Sequence, residues 1–473
     1  MNPEVHVVIL AAGQGTRMKS NRPKVLHRLA GLAVIDHVLK AADALAPASV
    51  TVVIGHKAES VGHHLEGRQN LRTVVQEPQL GTAHALQQTE SILGGLSGTL
   101  VLLSGDVPLL KASTLHQLAD THRGAHAAAT VATATVERPY GYGRVVRTDG
   151  RIVRIVEERD ASPAERQIRE INSGLYAFDL PPLFDALRGI ASQNAQGEFY
   201  LTDLIGIYRR RKLPVETLQV TNPDEIRGIN SRTELAEVSR IVRQNKNEEL
   251  MAAGVTLVDP ATTYIDPDVE IGPDTVIHPG VVIQGQTRIG DACEIQAHVR
   301  VVDSTIGARV AINSFCLIVG ASVADGAAIG PFAHLRPESA VGEKAHVGNF
   351  VELKKTTLGA GSKANHHAYL GDATIGANVN IGAGTIVCNY DGQTKHRTSI
   401  EDDAFIGSDT QLIAPVTVGR GAYVGTGTTV RESVPPGALA VSAGKQRNIE
   451  GWVARKRGTD VKTKTGKTAT VKT

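Results

Sequence analysis

The chain has 473 residues, more than one hydrophobic core usually supports, so two or more domains are expected. Hydrophobic residues make up 41% and charged residues 21%, with a net charge of +2; this describes a soluble globular protein and gives no reason to expect a nucleic-acid partner. No apolar run approaches a membrane span, 5–12 is too short and lacks the flanks of a signal peptide, and Cys293, Cys316 and Cys388 form an odd set, so the expectation is a cytoplasmic protein without a membrane partner.

The apolar run 5–10 ends in Ala11-Ala12-Gly13-Gln14-Gly15-Thr16-Arg17-Met18-Lys19, which reads as a buried strand feeding a glycine-rich turn. No Gly-Lys-Ser/Thr follows, so this is not a P-loop, and Met18 stands where a dinucleotide fingerprint needs its third glycine. Arg17, Lys19 and Lys24 surround a backbone able to present N–H groups to an anion, although a plain strand-to-loop turn with surface basic residues has the same outline. Strand-like segments at 50–54, 73–75, 99–103 and 127–136 alternate with helical patterns near 34–45, 83–93 and 113–121. That alternation predicts a mainly parallel sheet covered by helices, with ligands at the carboxyl ends of the strands. In Ser104-Gly105-Asp106-Val107-Pro108 the aspartate sits at the mouth of the sheet, either as a turn residue or as a ligand for Mg²⁺ beside phosphate oxygens.

Ser231-Arg232-Thr233-Glu234 is a capping-box sequence, and Leu235, Val238, Ile241 and Val242 recur at helical spacing before Gly254. The expected organisation is a first domain over 1–230, a helical linker over 231–254, a repeat domain over 255–437 and a terminal segment with a basic, disordered tail over 438–473.

From Ile271 to Val430 an aliphatic residue returns about every six positions, which predicts a parallel β-helix of hexapeptide repeats. One-residue slips follow Val301, Ile318, Leu353 and Leu370 and read as shortened corners of a three-sided coil. Four positions after each beat stands a small or β-branched residue, among them Thr275, Val281, Cys293, Cys316, Ala333, Thr385 and Thr428, which predicts inward packing. A break over 389–399 is too long for a corner and must loop outward. Such a coil is only scaffold, so chemistry is sought in off-beat residues: His366 and His367 at an outward corner, Arg336, Lys354, Asn380, and Asn389, Tyr390 and Lys395 at the break. Together they form a polar, basic strip suited to an anionic sugar phosphate.

Several motifs converge on one family. Leu10-Ala11-Ala12-Gly13-Gln14-Gly15-Thr16-Arg17-Met18 with Pro23-Lys24-Val25-Leu26 resembles the signature of sugar-1-phosphate nucleotidylyltransferases. Gln76, Gln79-Leu80-Gly81-Thr82, Tyr140-Gly141-Tyr142-Gly143-Arg144, Glu157, Asn172, Glu198-Phe199-Tyr200-Leu201-Thr202-Asp203 and Gly228-Ile229-Asn230 match further. With the repeat, nearly the whole chain is similar to the bacterial bifunctional UDP-N-acetylglucosamine pyrophosphorylases and glucosamine-1-phosphate N-acetyltransferases.

The resemblance implies an α/β Rossmann-like nucleotidyltransferase domain followed by a left-handed parallel β-helix, a homotrimer, and a supply of cell-wall precursor. It implies that Leu10, Ala11, Gly13, Gln76, Gly81 and Thr82 read the uracil of UTP, and that Arg17 and Lys24 hold phosphates as catalytic cations. Gly143, Glu157, Asn172, Tyr200 and Thr202 would hold sugar and ribose, and Asp106 and Asn230 would ligate Mg²⁺. In the second half His366 would be the general base, with Arg336, Lys354, Tyr369 and Asn380 binding glucosamine 1-phosphate. Asn389, Tyr390, Lys395, Ser408, Thr426 and Lys445 would line the acetyl-CoA and acceptor site. Three departures stand out: Ser104 where relatives often carry Tyr, Asn365 in place of a small residue, and Ala443 in place of an Arg facing a coenzyme A phosphate, a charge that Lys445 or Arg447 would replace. Other readings of the same residues are a single-activity nucleotidylyltransferase whose β-helix serves allostery or assembly, a non-catalytic scaffold with a degenerate head, and a metal hydrolyase using His334, His346 and His366.

Overall fold

The computed structural model describes residues 4–456 except 443, 445 and 447. The chain divides into two compact units, one running to Val269 and including Val282–Gln286, the other comprising Glu270–Val281 and Thr287 onward. The basic tail after residue 456, Ala443, Lys445 and Arg447 lie outside the described residues.

The first unit is built on a sheet whose strands are β1 (Val5–Leu10), β2 (Ser49–Ile54), β3 (Leu71–Val75), β4 (Thr99–Ser104), β5 (Ala129–Thr135), β6 (Arg144–Thr148), β7 (Arg151–Val156), β8 (Glu170–Asp179) and β9 (Val215–Gln219). Their order is β9-β5-β8-β4-β1-β2-β3, with β6 paired to β8 and β7. The contiguous part β4-β1-β2-β3 is parallel, as the alternation predicts. Strand β8 instead runs antiparallel to β4 and β5, so the sheet is mixed. The reason is local: β5 is followed by the β6–β7 hairpin rather than by a crossover helix, and a chain without that crossover returns antiparallel.

Side chains of β1 alternate between two cores. Val7 and Ile9 pack with Ile35 and Leu39 on one face, and Val8 packs with Leu86 and Leu204 on the other. Each such burial contributes about 1.5–3 kcal/mol. The helix expected over 83–93 is two, α1 (Thr82–Gln87) and α2 (Glu90–Leu93), because the Thr89 hydroxyl donates to the Leu86 carbonyl at 2.7 Å and competes with helix continuation.

Helix α3 (Arg232–Ala252) starts as the capping box predicts: the Glu234 N–H donates to Ser231 Oγ at 3.2 Å. The Glu234 carboxylate reaches one residue further back than the motif requires and accepts from the Asn230 N–H at 2.7 Å. Val238, with Leu235 and Val242, packs on Met18, Leu29, Val34 and Ile229, so the apolar stripe is occupied. Met18, the residue that spoils the dinucleotide fingerprint, is an anchor of this core.

From Glu270 the chain winds through three parallel sheets that form the faces of a coil. Every beat residue except Ile271 is buried, and so is every inward-slot residue named above. Successive coils stack beat on beat, as in Ile295 on Ile312, Val301 on Ile318 and Ile289 on Ile306. All four slips fall at the same corner, between the second and third faces, and there the left-handed turn residue comes one position earlier: Asp303, Gly320, Lys355 and Asp372. The long break leaves the coil at that corner too, between Ile386–Cys388 and Thr398–Ile400.

Close approach of coils fixes Gly348. A Cβ there would stand 1.9 Å from the Asn365 carbonyl oxygen, a contact only backbone displacement can relieve. Gly348→Ala is therefore expected to destabilise the second unit by at least about 2 kcal/mol. Thermal unfolding followed by circular dichroism checks this, and an unchanged melting temperature contradicts it.

Candidate functional sites

The turn after β1 and the end of β4 form the floor of a cleft of about 550 Å³. Leu10, Ala11, Gly13, Lys24, Gln76, Gly81, Thr82, Ser104 and Asp106 line it, so most of the expected nucleotide residues meet in one place. Two glycines are there for geometric reasons. A Cβ at Gly15 would lie 2.8 Å from the Lys24 Cβ, and one at Gly81, where φ is +107°, would lie 2.6 Å from the Phe199 carbonyl. Gln76 is buried and donates from Nε2 to the Gly81 carbonyl at 2.9 Å, which ties the two edges of the cleft together.

Lys24 Nζ donates to Asp106 Oδ2 and, at 3.0 Å, to Asn230 Oδ1. Asn230 is delivered by two backbone contacts: Ile229 N–H to the Asp106 carbonyl at 2.9 Å, and its own N–H to Glu234. Two hard oxygens thus converge on a point that already takes a cation, the donor set expected of a site that gives Mg²⁺ few protein ligands. Arg17 lines an adjoining hollow of about 220 Å³ with Ser104, Asp106, Tyr140, Asn230 and Glu234.

The residues expected to hold sugar form a separate group. Thr202 Oγ1 donates to Glu157 Oε1 at 3.1 Å, the Tyr200 hydroxyl donates to Asp160 at 3.2 Å, and all three predicted residues border a hollow of about 630 Å³. Gly143 lies beside them, since a Cβ there would be 3.5 Å from both Asn172 Cβ and Glu157 Oε1. Burial raises the Glu157 carboxyl above the ordinary range, with the Thr202 hydrogen bond opposing it.

In the second unit, the edge where the first face turns into the second carries two columns. Asn349 pairs directly with His366 in the parallel ladder, and the chain of backbone bonds Gly384 N to His367 O, Asp409 N to Ala383 O and Gly427 N to Ser408 O carries the register onward. The first column therefore reads Asn349, His366, Ala383, Ser408, Thr426, so the expected base and two expected coenzyme contacts share one edge. The second column holds the left-handed corner residues, where His298, Phe315, Phe332 and Phe350 stack ring on ring at 5.1–5.3 Å and His367 lies tilted against Phe350 at 4.9 Å. His367, one of the off-beat residues in which chemistry was sought, thus has a packing role. The next corner, Gly384, ends the stack. His366 is exposed, and its Nδ1 lies 2.9 Å from Asn349 Oδ1. Asn365 has its Oδ1 buried without a partner, and the structure offers no compensating contact for it.

The basic strip is on the second face. Arg336 pairs with Glu352 at 2.9 Å, and one coil on Lys354 pairs with Asp372 at 2.7 Å while Asn389 Nδ2 donates to the same carboxylate. Gly371 makes room for this: a Cβ would be 2.5 Å from the Tyr369 hydroxyl and 2.8 Å from Asn389 Nδ2. Burial pushes the Asp372 carboxyl up, but hydrogen bonds from Lys354 and Asn389 and the charges of Lys354 and Lys395 outweigh it and hold it below the ordinary range. Contact with the Lys354 ammonium lowers Lys395. Asp372 was not anticipated from sequence, since an Asp at a corner of a solenoid looks like any turn residue. Asn380 stands apart, stacked on Lys363 at the start of the first face, and Tyr390 is exposed in the outward loop.

A glycine-rich turn on a mixed α/β sheet, followed by a hexapeptide coil with a histidine-bearing edge, is the architecture of a two-domain transferase. The MobA-like NTP transferase domain family matches residues 7–178, and the bacterial transferase hexapeptide family (six repeats) matches 268–303 and 397–432. The chain is 49% identical over 451 residues to the bifunctional protein GlmU of Trichlorobacter lovleyi, which covers 95% of this chain and 98% of that one. It is 48% identical to the GlmU of Streptomyces avermitilis (95% and 94% covered) and 45% identical to that of Koribacter versatilis (98% and 99% covered). The chain belongs to the GlmU family of bifunctional transferases, and its coil is the left-handed parallel β-helix of hexapeptide proteins.

The two perturbed carboxyls predict opposite effects on stability. A raised carboxyl pKa means that the charged form is disfavoured in the fold, so Glu157→Gln is expected to raise the melting temperature by a few degrees at pH 8, with the gain vanishing as acid protonates Glu157. A depressed carboxyl pKa contributes stability above the ordinary carboxylate range that is lost as pH falls through the folded value. Asp372→Ala is therefore expected to cost about 2 kcal/mol at neutral pH and progressively less below pH ~4. Melting curves across pH check both, and equal shifts at all pH values contradict the assignment.

Proposed function

We infer that the chain is a bifunctional enzyme that N-acetylates glucosamine 1-phosphate from acetyl-CoA in its second half and transfers uridylyl from UTP to the N-acetylated product in its first, supplying cell-wall precursor. The relatives align over both halves under one bifunctional name, which sets aside the single-activity reading. The observation that carries the site assignment is the gathering of off-beat residues: Lys354, Tyr369 and Asn389 collect around Gly371 and Asp372, one corner from His366, and Arg336 stands one coil below Lys354.

In acetyl transfer, the Arg336 and Lys354 cations hold the sugar phosphate, and the substrate amine attacks the thioester carbonyl. The C–N bond forms, the C–S bond breaks, the thiolate leaves, and His366 Nε2 takes the proton lost by nitrogen. Acetyl-CoA lies along the edge marked by Ser408 and Thr426, with Asn389, Tyr390 and Lys395 at its reacting end and Lys445 meeting a coenzyme phosphate. Asn380 completes the acceptor site.

In uridylyl transfer, a phosphate oxygen of N-acetylglucosamine 1-phosphate attacks the α-phosphorus of UTP in line, and pyrophosphate leaves. No enzyme nucleophile is needed, so catalysis is positioning and charge neutralisation by Arg17 and Lys24. Asp106 and Asn230 fit Mg²⁺, which when bound neutralises the phosphate oxygens. Gln76, Gly81 and Thr82 hold the base, and Gly143, Glu157, Asn172, Tyr200 and Thr202 hold the sugar and ribose. The assembly is a homotrimer through the coil, and the location is cytoplasmic; among the described residues no helix is long and apolar enough to cross a membrane.

Two assays on the full chain test the division of labour: thiol release from acetyl-CoA with glucosamine 1-phosphate, and pyrophosphate release from UTP with its N-acetylated product. Asp106→Ala is expected to lower only pyrophosphate release, and His366→Ala only thiol release, each by at least about 100-fold. Loss of both activities in either variant refutes two independent sites.

A further inference from the structure

The contact between His366 and Asn349 has a chemical consequence beyond geometry. An imidazole can act as a base at Nε2 only if its proton resides on Nδ1, and the tautomer is set by whatever faces Nδ1. Here that group is the side chain of the residue one coil below, 2.9 Å away. Its position is determined by the fold: Asn349 and His366 are ladder partners, the His367 N–H donates to the Asn349 carbonyl at 3.0 Å, and the Phe350 and His367 rings pack in tilted contact at 4.9 Å immediately alongside. Gly348, just before, permits the two coils to approach. The pair is thus clamped on both sides.

We infer that Asn349 is a positioning residue for acetyl transfer: its Oδ1 accepts the Nδ1–H of His366 and so keeps the Nε2 lone pair free toward the substrate amine. The inference rests on His366 being the base. The choice of an amide is itself informative. A carboxylate in the same place would accept the same hydrogen bond, but its charge would favour imidazolium and withhold the lone pair near neutral pH. The amide fixes the tautomer without that charge. Around the ring, the strand before carries His346, the strand of His366 carries Lys363, the strand after carries the neutral Asn380, and His367 follows at the corner. His346 is itself held below the ordinary imidazole range by burial, Lys363 and His366. No carboxylate is among these neighbours, so an Asp introduced at 349 would act on the ring directly.

The test uses Asn349→Ala, Asn349→Asp and His366→Ala in the full chain, with kcat and KM for thiol release measured from pH 5.5 to 9.5, pyrophosphate release as the control for the first unit and thermal unfolding by circular dichroism as the control for folding of the second. Asn349→Ala is expected to lower kcat about 10- to 100-fold, with each KM changed less than about threefold, a part of what a general base contributes. Asn349→Asp is expected to move the acid limb of the kcat profile upward by about one pH unit and to recover rate on the alkaline side. Unchanged kcat and acid limb in both variants overturn the inference. So does an Asp variant inactive at every pH, because it would mean that Nδ1 must receive a proton rather than donate one. If the Ala variant fails to fold, the nearly isosteric Asp variant alone decides through its acid limb. Retention of thiol release by His366→Ala refutes the base assignment, and the role of Asn349 with it; loss in His366→Ala with indifferent Asn349 variants refutes only the latter.

Discussion

Parallel register is the constraint on which both halves depend. In a parallel ladder each residue stacks on one partner in the neighbouring strand, and the hydrogen bonds that enforce this leave little freedom to slip when one face is buried. In the first unit it brings the ends of β1 and β4 level, so that the Gly13 turn and Asp106 face the same cleft. In the second it converts a repeat in sequence into columns in space. Residues seventeen or eighteen apart become neighbours, and a histidine finds its partner one coil away.

Such columns require backbone conformations that non-glycine residues adopt reluctantly. Corner after corner takes positive φ at Asp, Asn, Lys, Phe or His, each strained by an amount comparable with a good hydrogen bond. The stacked beat residues offset that cost, and the strained corners then display side chains on a rigid edge. Elsewhere side-chain contacts fix charge: Lys24 is held against Asp106 and Asn230, and Lys354 against Asp372.

Much of this was legible in the chain. The six-residue beat located the coil, its slips located one corner, and the capping box located helix α3 to the residue. The motif residues that line one cleft of the first unit could be picked out because glycine and lysine at a strand end have a local chemical meaning. What escaped was non-local. Asp372 looks like a turn residue until Lys354 and Asn389 are seen to share its carboxylate, and His367 looks like a corner residue without a packing partner until Phe350 is seen beneath it. The antiparallel return of β8 escaped for a similar reason, since pattern marks a strand without its direction.

The sequence by itself determined the two architectures, the buried positions and the identity of the groups able to carry charge or protons, because periodicity and residue type are properties of the chain alone. Only the tertiary structure decided which of those groups meet. Asn349 and His366, or Asp106 and Asn230, are distant in sequence and carry no mark of one another. Coil stacking brings the first pair within hydrogen-bond reach, and strand order brings the second pair onto one shared donor, the Lys24 ammonium.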